Sequence, residues 1–239
     1  MSSLSSFTLP PGYARIKVVH SFNELAATPF ADGVNALCWK RTLDGDFNAV
    51  VSELGPIEEI DSLDADRLRG LRLTVAGRTA VDFMLADRDR LGALGLSPVL
   101  DCIRNYPRDE EPTPVPTDVY SFHADSATGP ADTWLCSYAG AASEGLSNDE
   151  AVRHIDLAAT RAELLARFGG PDDASFREYL KEYAYDLHYA PMAHARPFSF
   201  GLGNLWRIAV DYPGSPVPPC IHRAPETQPD APPRLLLIS

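Results

Sequence analysis

Apolar and polar residues alternate along Ala14-Arg15-Ile16-Lys17-Val18-Val19-His20, the two-residue period of a strand with one wet face. Ser21, followed three positions later by Glu24, is suited to cap a short helix after it. Asn35 to Trp39 reads as a second extended piece. From Phe47 to Leu54, from Ser62 to Leu71 and from Thr79 to Leu94 the apolar positions recur at helical intervals, and Asp64 is placed to favour a helix N-terminus. In the last of these, Val81, Met84, Leu85 and Leu91 form the stripe expected to be buried, and Asp87-Arg88-Asp89-Arg90 the face expected to be wet. Helices of this kind predict a layer that buttresses a sheet.

Tyr106 to Pro116 is acidic and rich in proline, which can continue neither a helix nor a central strand. It reads as a connector, either between a mainly helical portion (1–105) and a β core (117–239) or as a long loop inside one domain. Beyond it, Asp118 to Asp125 and Thr133 to Tyr138 flank a Thr128-Gly129-Pro130 turn as a hairpin-like pair. Ser147 and Glu150 have the spacing of a capping box, which predicts a helix carried through Leu157 to Phe168. Gly169-Gly170-Pro171 interrupts the pattern, which resumes from Ala174 to about Tyr189, so that 147–190 forms a helical insert. Extended structure returns at Phe198-Ser199-Phe200, at Leu205 to Val210, around His222 and at Arg234 to Ile238. Several short strands around helical excursions predict an α+β chain with a β-rich core. The whole of 1–239 is expected to fold as one domain, since β domains of this size are common.

The chemistry concentrates on His123 and Asp125. Alternate side chains of a strand share a face, so this pair can address one point while Phe122 and Ala124 pack behind it. A second imidazole from a remote strand, for which His222 is the candidate, completes two histidines and one carboxylate on one side of a metal ion, with open positions opposite. That ligand set is typical of non-haem Fe(II) oxygenases. Arg234 follows His222 by twelve residues and stands at the entrance of the final strand.

The order His-x-Asp, long gap, His, then Arg resembles the Fe(II)/2-oxoglutarate-dependent oxygenases. The blocks Val34-Asn35-Ala36-Leu37-Cys38-Trp39-Lys40-Arg41, Phe122-His123-Ala124-Asp125, Leu135-Cys136-Ser137-Tyr138-Ala139-Gly140 and Ile221-His222-Arg223-Ala224-Pro225, with Arg234-Leu235-Leu236-Leu237, look like the DUF1826 family of uncharacterised bacterial proteins. The resemblance implies a double-stranded β-helix, or jelly roll, with Fe(II) held by His123, Asp125 and His222. It further implies 2-oxoglutarate and O₂ on the open positions, with Arg234 on the distal carboxylate of 2-oxoglutarate, for which a guanidinium fork is well shaped. The commonest pattern in that superfamily sets a Ser or Thr two residues past the arginine, where this chain has Leu236. Tyr138 is the residue expected to supply a second hydrogen bond to the cosubstrate. Arg223, as the immediate strand neighbour of His222, should face away from the metal. In such enzymes a carboxylate at Asp125 implies hydroxylation or desaturation of a small metabolite, since halogenating relatives replace it with a small residue.

Composition narrows the partners. A net charge of −12 with only three lysines works against binding a polyanion such as nucleic acid, so a small-molecule substrate is expected. No apolar run approaches the roughly 18–20 residues of a membrane span, and the first ten residues have no basic segment leading into an apolar one, so a cytoplasmic protein is expected. Cys38, Cys102, Cys136 and Cys220 are scattered, without Cys-x-x-Cys, and read as reduced, mostly buried thiols. Nothing in the residues indicates an oligomeric state. His154 reads as a helix-surface residue, whereas His188 and His194 fit structural or substrate-contact roles alike. Two other functions share the metal ligands: a non-catalytic metal-binding jelly roll, as in a sensor or accessory protein, and a cupin-like dioxygenase that does without 2-oxoglutarate.

Overall fold

The computed structural model describes residues 7–109, 112–183, 185–228 and 230–239. The lead at 1–6, the connector's Glu110 and Glu111, Ala184 of the expected second insert helix and Pro229 lie outside the described residues. In chain order the first half runs β1 (Ile16–Val19), α1 (Phe22–Ala27), β2 (Ala36–Trp39), α2 (Phe47–Leu54), β3 (Ile60–Ser62), α3 (Ala65–Gly70), α4 (Val75–Ala93) and β4 (Val99–Ile103). The second half runs β5 (Phe122–His123), β6 (Asp132–Ala139), β7 (Glu144–Leu146), β8 (Ala151–Arg153), α5 (Ala158–Phe168), α6 (Ala174–Glu182), β9 (His188–Pro191), β10 (Phe198–Ser199), β11 (Leu205–Ala209), β12 (Ile221–Arg223) and β13 (Arg234–Ile238).

Side-chain caps start most of these helices. Ser21, Asp46, Asp64 and Thr74 accept from the backbone N–H three residues on, at the heads of α1, α2, α3 and α4, and each such cap contributes about 1 kcal/mol. The insert departs from its sequence pattern. Ser147 makes no side-chain cap; after one turn of 3₁₀ helix the chain enters β8, and α5 begins only at Ala158. Likewise α6 stops at Glu182 instead of continuing to Tyr189, and His188 lies on a strand. In both places strand pairing overrides local helical pattern: β8 pairs with β9, and β9 with β5.

Two sheets result. The larger has the order β1-β2-β11-β6-β13-β4-β3 and the smaller β10-β7-β12-β5-β9-β8. Among the described residues, the pairings between these strands are antiparallel except β1 with β2. Besides α1–α4, the described part of 1–105 contributes β1, β2, β3 and β4 to the same sheet as β6, β11 and β13.

Alternation on β6 and β13 sorts side chains between two cores. Trp134, Cys136, Tyr138, Leu235 and Leu237 join Val50, Leu68, Met84 and Leu91 in an apolar layer between the larger sheet and α2–α4. Leu135 and Leu236 face the other way, into a cluster with Ile103, Phe198, Phe200, Trp206 and Cys220 drawn from both sheets. Trp206 is fully buried there, stacked on Phe200 with ring centres 4.4 Å apart. A register shift in the β13–β6 pairing at Leu235/Leu236 puts Ala139, with Tyr138, on the helix side. Gly140, at φ +74°, is required where β13 arrives: a Cβ there would lie 2.9 Å from the Cα of Arg234 and the carbonyl oxygen of Pro233. The remaining clusters are smaller. α5 and α6 close over Val115, Ile155, Leu164, Phe176 and Leu180, and Phe122, Leu146 and Ile221 share the opposite face of the smaller sheet from its histidines.

Asp87 is a correction. Expected on the wet face of α4, it is wholly buried, while its neighbour Asp89 is exposed. Its carboxylate accepts from Arg41 through both terminal guanidinium nitrogens, from Arg90 at 2.8 Å and from the Tyr138 hydroxyl at 2.8 Å. Arg41 lies 46 residues away along the chain and Tyr138 51, so no local pattern could announce the site.

Candidate metal centre

Strands β5 and β12 meet at one residue pair, His123 opposite His222. Directly paired residues of an antiparallel ladder share a face and stand about 5 Å apart at Cβ, so the register alone brings the two imidazoles together; their ring centres are 4.7 Å apart. Asp125 follows two residues after His123, just beyond the end of β5, where its carbonyl accepts from the Asp211 N–H at 2.8 Å. The carboxylate reaches both rings: Oδ1 lies 3.9 Å from Nε2 of His123 and Oδ2 3.7 Å from Nε2 of His222. One ligand atom from each of the three lies within 4.8 Å of the others, and this is the sole such group found among the described residues.

The donor set suits a metal ion. Nδ1 of His123 donates to the Ser121 carbonyl at 2.8 Å, and Nδ1 of His222 to the Cys220 carbonyl at 3.3 Å. With the proton held on Nδ1, each ring turns the lone pair of Nε2 toward Asp125, the tautomer that ligation requires. Thr133, on the inner face of β6, donates its hydroxyl to Oδ2 of Asp125 and orients the carboxylate. Burial first, and then the neighbouring His222, pulls His123 down to about 4, so it is neutral at physiological pH. Burial alone would raise Asp125, but His222, the Thr133 hydroxyl and His123 together outweigh it and hold the carboxyl below its ordinary range. A neutral His123 beside an ionised Asp125 is in the protonation state in which a divalent ion is bound without first expelling a proton from either group.

Arg234 sits on the inner side of the larger sheet, buried. Its Nε donates to the Ala141 carbonyl at 2.8 Å and its terminal nitrogens to the Ser143 hydroxyl at 2.9 Å and the Tyr106 hydroxyl at 3.3 Å. None of these acceptors is charged, and Arg234 forms no ion pair among the described residues. Burial lowers the pKa of the guanidinium. Ser143 immediately precedes β7, whose Gly145 is the cross-strand partner of His222, so Arg234 is tied to the strand beside the triad.

Tyr138 is not brought to this site. It points into the helix layer, stacks on Phe47 at 5.4 Å and gives its hydroxyl to Asp87, so the hydrogen bond expected of it toward a cosubstrate is not on offer. Arg223 faces away, as its strand position predicts: it pairs with Glu144 at 2.7 Å over the ring of Phe122. Leu236 packs in the core between the sheets. The local pattern around His188 is helical, in which it and Asp186 would face different directions; the structure instead pairs it directly with His123, on the side opposite His222. A cleft of about 450 Å³ opens between the insert helices and β8, lined by Arg153, Arg177, Lys181 and Asp186 among others, and none of the three triad residues lines it.

No protein-family model, no curated protein and no solved structure matches this chain.

Proposed function

We propose that this protein is a jelly-roll, Fe(II)- and 2-oxoglutarate-dependent oxygenase that hydroxylates or desaturates a small metabolite, acting in the cytoplasm. The observation that carries the reading is the pairing of two features: a His-Asp-His group with both Nε2 atoms facing one carboxylate, and a buried arginine without a counter-ion among the described residues, held to the strand next to it.

Strand order supports the jelly roll. Eight strands fall into two contiguous sets, β11-β6-β13-β4 in the larger sheet and β10-β7-β12-β5 in the smaller. Along the chain, β4 through β7 and β10 through β13 pass from one sheet to the other at each step except β7 to β10, where β8, α5, α6 and β9 are inserted.

The residues divide the work. His123, Asp125 and His222 would hold the ion from one side, with their second ring nitrogens and the Thr133 hydroxyl keeping the donors aimed. Arg234 would bind the distal carboxylate of 2-oxoglutarate. An arginine carries five N–H donors and only three of its bonds are accounted for, and a buried cation that lacks an anion in the protein is stabilised by one brought in by a ligand. When bound, iron would let O₂ act as the oxidant of an unactivated C–H bond, with 2-oxoglutarate, oxidised to succinate and CO₂, supplying the other two electrons; the protein would orient the substrate and exclude water.

The test is an anaerobic titration of the protein with Fe(II) and then 2-oxoglutarate, following the weak visible charge-transfer band of a 2-oxo acid chelated to iron. The expected result is a saturable band that is absent in His123→Ala. Tight metal retention with no band and no 2-oxoglutarate binding by calorimetry would overturn the oxygenase in favour of a non-catalytic metal protein.

A further inference from the structure

Three imidazoles stand in a row across the smaller sheet. His222 pairs with His123, and His123 with His188, on the consecutive strands β12, β5 and β9. Because directly paired residues share a face, all three rings project to the same side, opposite the apolar side that carries Phe122 and Ile221. His188 is as well buried as a core residue, with 6% of its surface exposed. Its ring centre is 6.0 Å from that of His123, against 4.7 Å between His123 and His222.

Those separations matter for coordination. With metal–nitrogen bonds of about 2.1 Å, two imidazoles on one ion have ring centres roughly 4.5 to 6 Å apart, depending on the angle between the bonds. The His123–His222 pair lies near the short end of that span and the His123–His188 pair at its long end. His188 is nonetheless outside the tight group formed by His123, Asp125 and His222, so it stands within reach of the same ion without being preset upon it.

We propose that His188 is a fourth, displaceable ligand of the ion: it takes one of the positions that His123, Asp125 and His222 leave open when no cosubstrate is present, and yields it to a bidentate 2-oxo acid. The inference rests on the metal centre of the preceding section and deepens it, since it assigns a resident of this chain to a position there treated as open. The arrangement keeps a resting ion from presenting all its reactive positions to solvent. It also makes cosubstrate binding a ligand exchange, so the affinity for 2-oxoglutarate includes the work of displacing His188.

Co(II), whose visible absorption reports coordination number, is the probe, added to the full-length protein and to His188→Ala, followed by 2-oxoglutarate. Co(II) is expected to bind His188→Ala about 10- to 100-fold more weakly than the wild type, with an altered spectrum, as for loss of a contributing ligand. 2-Oxoglutarate is expected to bind Co(II)-loaded His188→Ala about three- to tenfold more tightly, because only water then has to leave the position that His188 holds in the wild type. The opposite signs separate this role from a structural one, and His188→Gln should behave as the alanine variant does while keeping the bulk of the side chain. Wild-type Co(II) affinity and spectrum in His188→Ala would overturn the inference and leave the three-residue centre standing. Loss of 2-oxoglutarate affinity in parallel with Co(II) affinity would mark His188 as structural and also overturn it, whereas failure of the wild type to bind Co(II) at all would remove the centre itself.

Discussion

Two charged side chains are buried on opposite sides of the same seven-stranded sheet, and they are treated in opposite ways. On the helix side, Asp87 is fully enclosed and fully answered, with two arginines and a tyrosine hydroxyl around its two oxygens. Arg41 is itself held by the Gly203 carbonyl and lies over the Trp39 ring, so the network pins α4, β2, β6 and the Gly203 loop together. On the inner side, Arg234 is nearly as buried but meets only neutral oxygens. Desolvating a charge is expensive unless a partner compensates it. Where the protein supplies the compensation itself, the site belongs to the architecture; where it leaves a cation short of an anion, the deficit suits a ligand.

The comparison can be broken by substitution, beginning where the largest change is expected. Asp87→Ala strands two guanidinium groups and a phenol that had converged on it and should lower stability by about 3–5 kcal/mol in urea unfolding. A loss under 1 kcal/mol would show that the network is not what holds α4 to the sheet. Arg234→Met, by contrast, replaces an uncompensated cation with an apolar chain of similar length. Stability should hold or rise, while calorimetric affinity for 2-oxoglutarate should drop by at least about 100-fold, or roughly 2.7 kcal/mol. A large loss of stability with affinity intact would make Arg234 a second Asp87.

Smaller effects sharpen the contrast. Thr133→Val removes the hydroxyl that orients Asp125 and should weaken Fe(II) binding about tenfold, the usual scale for an outer-shell partner of a ligand. Tyr138→Phe removes one of the donors to Asp87 and should lower stability by about 1 kcal/mol without changing 2-oxoglutarate affinity. A clear change in that affinity would give Tyr138 the role toward 2-oxoglutarate that its position on the helix side speaks against.

The legible part of the centre was short in range or strongly periodic. His123 and Asp125 stand two apart at a strand end, and a lone histidine within a later extended run is a natural third ligand; the chain does bring His222 opposite His123. The helix starts at Ser21 and Asp64 were equally local, and both residues cap the run that follows; Asp46 and Thr74 cap α2 and α4 in the same way. His188 is not legible locally, because residues 174–189 carry a helical pattern, whereas pairing of β9 with β5 on one side and β8 on the other decides its conformation. The direction of Tyr138 is hidden for a different reason. Its strand was evident, but which face of the strand looks toward the helices is not written in alternation alone, and the register shift opposite Leu235/Leu236 alters the count between the two ends of β6.

Taken alone, the amino-acid order determined the identities and chain spacing of the His-Asp-His group, the arginine ahead of the last strand, the apolar stripes of α2 and α4 and an α+β character, since all of these follow from periods of two or 3.6 residues and from side-chain chemistry. Only the tertiary structure decided which charges were matched and which were left short. Asp87 finds Arg41 and Tyr138 across about fifty residues of chain, and Arg234 finds Ser143 and Tyr106 across 91 and 128. Compensation of a buried charge depends on distance through space in a medium of low polarisability, a quantity that sequence separation does not encode.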